Sequence, residues 1–117
     1  MITNIIYIIV AYFLGNIMGG KLLEKIYKED LSKVGSGNVG ARNAGRVLGT
    51  RSFVFVLAVD FFKGFLIVIL LKILHTDALT IYVSILFVIL GHIKPILFKF
   101  KGGKGVATFF GTMAALS

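Results

Sequence analysis

The stretch that decides the fold is residues 52–74, which read SFVFVLAVDFFKGFLIVILLKIL. At 1.5 Å per residue, a helix of this length crosses the hydrocarbon core of a bilayer, which is about 30 Å thick. Only Asp60 and Lys63 interrupt the interior of the run with charge. The stretch therefore predicts a transmembrane helix.

Three further apolar stretches accompany it: residues 2–23, which glycines and an asparagine interrupt, residues 78–96 and residues 106–117. The last would form a helix of about 18 Å, which is too short to cross a bilayer. We therefore predict an all-α integral membrane protein, a polytopic helical bundle with three full spans and a partial fourth. Residues 1–117 would form a single membrane domain, and we expect the fourth span to continue beyond Ser117.

The composition supports a membrane chain and excludes several other classes. Hydrophobic residues make up 57%, charged residues 15%, and the mean hydropathy is +0.95. A soluble domain has roughly 45–50% apolar and about 25% charged residues, and disordered chains are far less hydrophobic. The absence of cysteine excludes a disulfide scaffold, a thiolate metal site and a cysteine nucleophile. With only two histidines, we expect no metal site.

The positive charge is concentrated in two loops, at about residues 24–51 and 92–105, whereas the turn between them is nearly neutral. Lysines and arginines outnumber acidic residues by 13 to 5. Because these cations lie between apolar stretches, they would face lipid headgroups or an anionic substrate, and we predict no nucleic-acid partner. The positive-inside rule places both loops in the cytoplasm and the amino terminus outside. Both loops would then meet at one membrane face.

The first loop contains the sequence GSGNVGARNAGRVLG at residues 35–49. Its glycines predict a loop in which backbone N–H groups can approach an anion closely. The side chains that could add donors and positive charge are Ser36, Asn38, Asn43, Arg42 and Arg46. The formal G-x-G-x-x-G pattern does not indicate a dinucleotide site, because no strand precedes it. A phosphate site and a plain flexible loop both fit these residues.

The second loop reads HIKPILFKFKGGKGVAT at residues 92–108. Three glycines surround Lys104 directly before an apolar helix, whose N-terminus offers free N–H groups and a positive dipole end. The pattern is not a Walker A loop, because Phe98 stands where that motif needs glycine. Lysines that only anchor the helix ends at the membrane surface would explain the same composition.

Two features of the spans are also informative. Asp60 and Lys63 are three residues apart, so they share one helix face and could neutralise each other, although ionisable residues in a span are also candidates for function. We favour mutual pairing. Gly15 and Gly19 form a G-x-x-x-G pattern that predicts close helix packing, and we expect His92 to lie at the membrane interface.

Together, the two loops resemble the first two motifs of the bacterial acyl-phosphate:glycerol-3-phosphate acyltransferases, which are integral membrane enzymes. Members typically carry G-S-G-N-P-G-A-T-N and H-x-F-P…F-K-G-G-K-G-V-A-T, where this chain has GSGNVGARN and HIKPILFKFKGGKGVAT. AYFLG at residues 11–15 and D-x-x-K-G at residues 60–64 also agree. The chain departs from the pattern at Val39, usually proline, and at Arg42, usually threonine. The third family motif would lie beyond Ser117.

The resemblance implies that a fatty acyl group passes from acyl phosphate to the sn-1 hydroxyl of glycerol 3-phosphate, without a cofactor or metal. The product, lysophosphatidic acid, would serve phospholipid synthesis in a bacterial cytoplasmic membrane. The implied catalytic residues are Ser36, Arg46 and Lys104. The implied substrate-binding residues are Gly35, Gly37, Asn38, Asn43, Gly102, Gly103 and Gly105. The expected partners are both substrates and membrane lipid, with self-association or a complementing C-terminal partner left open.

Two other functions compete with this interpretation. An inactive truncated homologue or a membrane partner subunit would carry both loops without catalysing turnover. A small four-helix transporter would need an unpaired carboxylate in a span, whereas Asp60 has Lys63 beside it.

Overall fold

The computed structural model describes all residues, 1–117, and contains helices and no strands. The six α-helices are α1 (Ile2–Asn16), α2 (Gly19–Tyr27), α3 (Ala41–Leu48), α4 (Thr50–Ile73), α5 (Ala78–Ile93) and α6 (Val106–Leu116). Short 3-10 helices cover Leu31–Lys33 and Ile96–Phe98. The all-α prediction is confirmed.

Two helical segments are long and apolar enough to cross a membrane: α4, and α5 together with the 3-10 helix that follows it. The pair α1 and α2 meets the same criterion only when both are counted as one span, and the two helices are bent by 40°. The apolar helix α6 has 11 residues. Each apolar stretch predicted from the sequence therefore forms helix, and the first one is broken.

The break between α1 and α2 is held by the charged pair of α4. Lys63 Nζ donates to the carbonyl oxygens of Gly15 at 2.9 Å and Ile17 at 2.8 Å, and the Gly19 N–H donates to Asp60 Oδ1 at 3.2 Å. The pair itself is 3.6 Å apart and buried. Backbone groups without partners are costly in an apolar medium, so these contacts stabilise the break. The predicted pairing is confirmed, and the pair also completes the backbone of a neighbouring helix.

Glycines allow the main helices to pack closely. A Cβ atom on Gly15 would collide with the Val88 carbonyl oxygen of α5, whereas one on Gly19 would lie 2.7 Å from the Val56 Cα atom of α4. Gly111 of α6 makes an equally close approach to the Phe61 carbonyl oxygen of α4. Close packing at the G-x-x-x-G pattern is therefore confirmed, but its two glycines contact different helices because the chain breaks between them.

The glycine-rich stretch predicted as loop differs from that prediction after Gly40. Residues 41–48 form α3, which buries Asn43 and Ala44 and packs against α4. Ala44 belongs to a core cluster with Val56 of α4 and Met18 at the start of α2. The glycine content predicts a loop, but burial of this face against α4 stabilises the helix, so the arginines on α3 have fixed positions.

Candidate active site

Both loops line one cavity of about 710 Å³. Its wall combines polar loop residues with apolar residues of α4 and α6, and the lining residues are Ser36, Asn38, Gly40, Ala41, Arg42, Asn43, Arg46, Phe53, Leu57, Asp60, His92, Lys104, Gly105, Val106, Ala107 and Phe110. A smaller cavity of about 270 Å³ is lined by Ser36, Gly37, Asn38, Gly102, Gly103 and Lys104. Three residues, Ser36, Asn38 and Lys104, border both cavities.

The first loop is shaped by the side chain of Asn43. Its Oδ1 atom accepts the Ser36 N–H at 2.8 Å, and its Nδ2 atom donates to the carbonyl oxygens of Leu31 at 3.1 Å, Val34 at 3.0 Å and Asn38 at 2.8 Å. Asn43 is 1% exposed. Its amide is therefore occupied within the chain and fixes the loop that carries Ser36.

The glycines of this loop mainly determine its backbone conformation and provide few free N–H donors. Gly35 and Gly37 have φ angles of +57° and +80°, which favour glycine. A Cβ atom on Gly35 would collide with Asn43 Oδ1, and the Gly37 N–H donates to the Val34 carbonyl oxygen at 3.0 Å. The Val39 N–H donates to no atom in the chain, so the proline usual in the family would cost no hydrogen bond here.

Ser36 and Asn38 keep polar atoms free toward the cavities. The Ser36 hydroxyl has a single long contact, 3.4 Å from the Asn38 N–H. Asn38 Oδ1 accepts the Gly40 N–H at 2.9 Å, but Asn38 Nδ2 donates to no atom in the chain. Both side chains can therefore bind a polar ligand without breaking an existing bond.

The second loop offers backbone donors at the N-terminus of α6. The N–H groups of Gly102, Lys104 and Gly105 donate to no atom in the chain, whereas the Gly103 N–H donates to the His92 carbonyl oxygen at 3.1 Å. Gly105 has a φ angle of +83° and directly precedes α6. Free N–H groups and the positive end of a helix dipole are suited to an anion.

Three cations face the larger cavity without an ion-pair partner. Arg42 and Arg46 are one turn apart on α3, and Lys104 lies on the second loop. All three side chains are exposed, and no carboxylate lies within 4.0 Å of them. The one carboxylate in the lining, Asp60, is paired with Lys63. The net field of the cavity therefore favours an anionic ligand.

One side of the larger cavity is apolar and continues onto the outer face of the helices. Phe53 and Leu57 of α4 and Val106 and Phe110 of α6 line it. Of these, Val106 is 58% and Phe110 57% exposed. An anionic head and an apolar tail could therefore occupy the cavity together.

Two lining residues, Asp60 and His92, were not expected at this site. His92 is 3% exposed within the protein and lies in the last turn of α5, and its location at the membrane interface stays a prediction. Its ring is held on one side by Lys63, whose Nζ atom lies 2.6 Å from Nδ1, whereas the absence of a Cβ atom at Gly103 leaves the Nε2 edge open toward the cavity. One feature of the sequence could have indicated the burial of His92. The ionisable pair Asp60 and Lys63 lies in the preceding apolar helix, and such a pair requires further polar partners.

The structure brings together most of the residues implied by the family resemblance. Ser36, Arg46 and Lys104 all line the larger cavity. The substrate-binding candidates that line one or both cavities are Gly37, Asn38, Asn43, Gly102, Gly103 and Gly105. Gly35 lines neither cavity and packs behind the loop against Asn43.

Comparison with known proteins gives one consistent result. The family model described as glycerol-3-phosphate acyltransferase matches residues 5–117. Glycerol-3-phosphate acyltransferase 1 of Bacillus cereus (strain ATCC 14579) is 41% identical over 111 residues, covering 94% of this chain and 61% of the relative. The glycerol-3-phosphate acyltransferase of Aquifex aeolicus (strain VF5) is 45% identical over 111 residues, covering 94% and 58%.

Crystal structures of PlsY (YgiH), an integral membrane glycerol 3-phosphate acyltransferase, share the fold. The glycerol 3-phosphate form has a TM-score of 0.92 and 42% identity, covering 98% of this chain and 58% of that chain. The lysophosphatidic acid form has a TM-score of 0.88 and 40% identity, covering 98% and 57%. This chain thus spans about three fifths of the length of the relatives it matches. Over nearly all of its residues, it belongs to the glycerol-3-phosphate acyltransferase family.

Proposed function

We propose that the chain binds glycerol 3-phosphate and a fatty acyl phosphate in the larger cavity and transfers the acyl group to the sn-1 hydroxyl. The observation that carries the proposal is that Ser36, Arg46 and Lys104, from two separate loops, line one cationic cavity with an apolar side. The solved relative in its glycerol 3-phosphate form supports the same substrate.

The proposed reaction needs no covalent step on the protein. The sn-1 oxygen attacks the carbonyl carbon of the acyl phosphate, an ester bond forms, and the bond from that carbon to the phosphate oxygen breaks. The hydroxyl proton passes to a phosphate oxygen, so the products are lysophosphatidic acid and inorganic phosphate. Since acyl phosphate is already activated, the protein contributes mainly orientation and charge stabilisation.

Four polar side chains of the site have a role in this proposal. Lys104 and Arg46 bind phosphate oxygens and stabilise the charge that develops as phosphate leaves. The Ser36 hydroxyl and the free Asn38 amide orient the glycerol part. The unpaired N–H groups of the second loop complete the phosphate site, as expected at a helix N-terminus.

The apolar side of the cavity would take the acyl chain. Because Val106 and Phe110 are exposed on the outer surface of the helix bundle, a chain placed there would remain in contact with membrane lipid. This arrangement brings a water-soluble phosphate and a lipid substrate together at a membrane surface.

We infer that α1 and α2 form one bent span, that α4 and α5 form two more, and that α6 is part of a fourth. The positive charge of both loops favours a cytoplasmic location for them and an outside location for the amino terminus. The expected membrane is the bacterial inner membrane.

A second candidate function is a non-catalytic membrane partner subunit or an inactive homologue. Either one would show the same cavity without catalysing turnover. Catalysis would then involve self-association or a complementing partner.

Acyl transfer in membranes tests the proposal. The chain is inserted into membranes of a host without endogenous activity and supplied with labelled glycerol 3-phosphate and palmitoyl phosphate. We expect labelled lysophosphatidic acid, its loss in Lys104→Ala, and its retention in Lys101→Ala, which removes an exposed lysine that lines neither cavity. Absence of product from an inserted chain would favour the partner subunit or inactive homologue.

A further inference from the structure

His92 connects the buried charged pair to the second loop. The residue lies in the last turn of α5, is 3% exposed and lines the larger cavity. Its Nδ1 atom is 2.6 Å from Lys63 Nζ. The other side of the ring packs against Gly103.

The contacts of Lys63 fix which nitrogen of His92 carries the proton. A lysine ammonium group has three donors and no acceptor. Two of its protons are directed to the carbonyl oxygens of Gly15 and Ile17, and the third faces His92 Nδ1. Asp60 Oδ1, at 3.6 Å, balances the charge of the ammonium group. Nδ1 must therefore accept, and the single proton of the neutral ring lies on Nε2.

The Nε2–H group faces the second loop and lacks a partner. A Cβ atom at Gly103 would lie 2.5 Å from Nε2, so glycine at this position leaves the donor uncovered. Nε2 makes no hydrogen bond in the chain. Two fully buried side-chain nitrogen or oxygen atoms lack a partner, Thr76 Oγ1 and Ser84 Oγ. Nε2 also lacks a partner but is not one of these fully buried atoms, so it is accessible from the cavity that His92 lines. A donor placed this way gains most from an anion, because charge-assisted hydrogen bonds are the strong ones.

We infer that His92 is a further ligand-binding residue, whose Nε2–H donates to a phosphate oxygen beside Lys104, and that Lys63 is the positioning residue that fixes this tautomer. The inference rests on the proposed function, since it requires a phosphate group in the cavity. Asp60 contributes indirectly, by keeping Lys63 charged and in place.

Nitrogen-15 NMR of the histidine rings tests the inference without requiring turnover. The chain contains two histidines, and His75 is exposed in the turn between α4 and α5. Its φ angle of +55° is one that asparagine tolerates, so His75→Asn leaves a single labelled ring with little strain. In detergent micelles we expect the one-bond nitrogen–proton coupling of His92 at Nε2. Titration with inorganic phosphate should shift the Nε2 signal saturably, and Lys104→Ala should weaken that response.

Two variants measure the contribution to affinity. His92→Phe removes the donor and should weaken phosphate binding about tenfold or more. His92→Gln retains an N–H donor and a group that can accept from Lys63, so it should recover part of the affinity. A merely structural role would not give this rescue together with a phosphate-dependent Nε2 signal.

The results that overturn the inference are distinct from those that overturn the proposed function. A proton on Nδ1, or an Nε2 signal unchanged at saturating phosphate, overturns the role of His92. Broadening of the phosphate ³¹P signal in the same sample shows whether phosphate binds. Binding with an unchanged His92 leaves the proposed function in place, whereas no binding removes both.

Discussion

The ammonium group of Lys63 on α4 lies 2.8 Å from the carbonyl oxygen of Ile17, at the break between α1 and α2. The contact pairs a charged side chain of α4 with a backbone carbonyl oxygen at the end of α1 that has no partner within that helix. Since Lys63 also contacts His92, one side chain links the break to the cavity.

Lys63→Met should therefore destabilise the fold by about 3–5 kcal/mol, because it leaves Asp60 buried without its partner. Asp60→Asn should cost less, since the amide oxygen can still accept the Gly19 N–H. Unfolding of both variants in detergent micelles measures the difference. Equal losses of stability would contradict the assigned role of Lys63 at the break.

Asn43 should prove to be the residue that holds the first loop. Asn43→Ala removes the partner of the Ser36 N–H and of the Leu31 and Asn38 carbonyl oxygens, whereas the Val34 carbonyl oxygen still accepts the Gly37 N–H. Each buried group left unpaired costs about 1–3 kcal/mol. Asn43→Asp should be worse, because a carboxylate cannot donate to carbonyl oxygens. Hydrogen exchange at Ser36 should accelerate in both variants. Exchange that stays unchanged would show that the loop is held by other contacts.

Arg42 should strengthen anion binding in this chain. It lines the cavity one turn before Arg46 and has no carboxylate partner. We expect Arg42→Thr, which restores the residue usual in the family, to weaken binding of inorganic phosphate two- to fivefold, as for a partly screened charge of about 0.5–1 kcal/mol. Arg51→Thr, an exposed arginine outside the cavity, is the matched control. An equal effect of both substitutions on phosphate binding would indicate that only the net charge of the protein matters.

Gly111 should tolerate no side chain. A Cβ atom there would collide with the Phe61 carbonyl oxygen, so Gly111→Ala must separate α6 from α4. We expect a loss of about 1–3 kcal/mol, as for other overpacked sites, and none beyond about 0.5 kcal/mol for Ala114→Ser on the exposed side of α6. Micelle unfolding compares the two. A neutral Gly111→Ala would contradict the close α4–α6 contact.

The sequence predicts those features that depend on local patterns. Hydropathy locates the apolar helices, and the three-residue spacing predicts the Asp60–Lys63 pair. Glycines and an asparagine mark the region of the break at Ile17, but the contacts that hold the break and bury His92 join segments far apart in the chain, so no local pattern reports them. The helix α3 was missed for a related reason, because its glycine-rich sequence becomes helical where Ala44 packs against α4.

The same distinction applies to the site. The family motifs indicate Ser36, Arg46 and Lys104 as site residues, and all three line the larger cavity. Motifs do not separate residues that face a ligand from those that shape the loop. Only the hydrogen bonds distinguish Asn43, whose amide is occupied within the chain, from Asn38, which keeps a free donor.

We propose that both loops form one anion site. A double-mutant cycle on glycerol 3-phosphate binding tests this proposal, with Arg46→Ala, Lys104→Ala and the double variant titrated calorimetrically in micelles. We predict that each single variant weakens binding, and that the double variant weakens it less than the product of both effects, with a coupling of about 0.5–3 kcal/mol. Strictly multiplicative effects would mean that the two cations act independently on the ligand, and would contradict a single shared site.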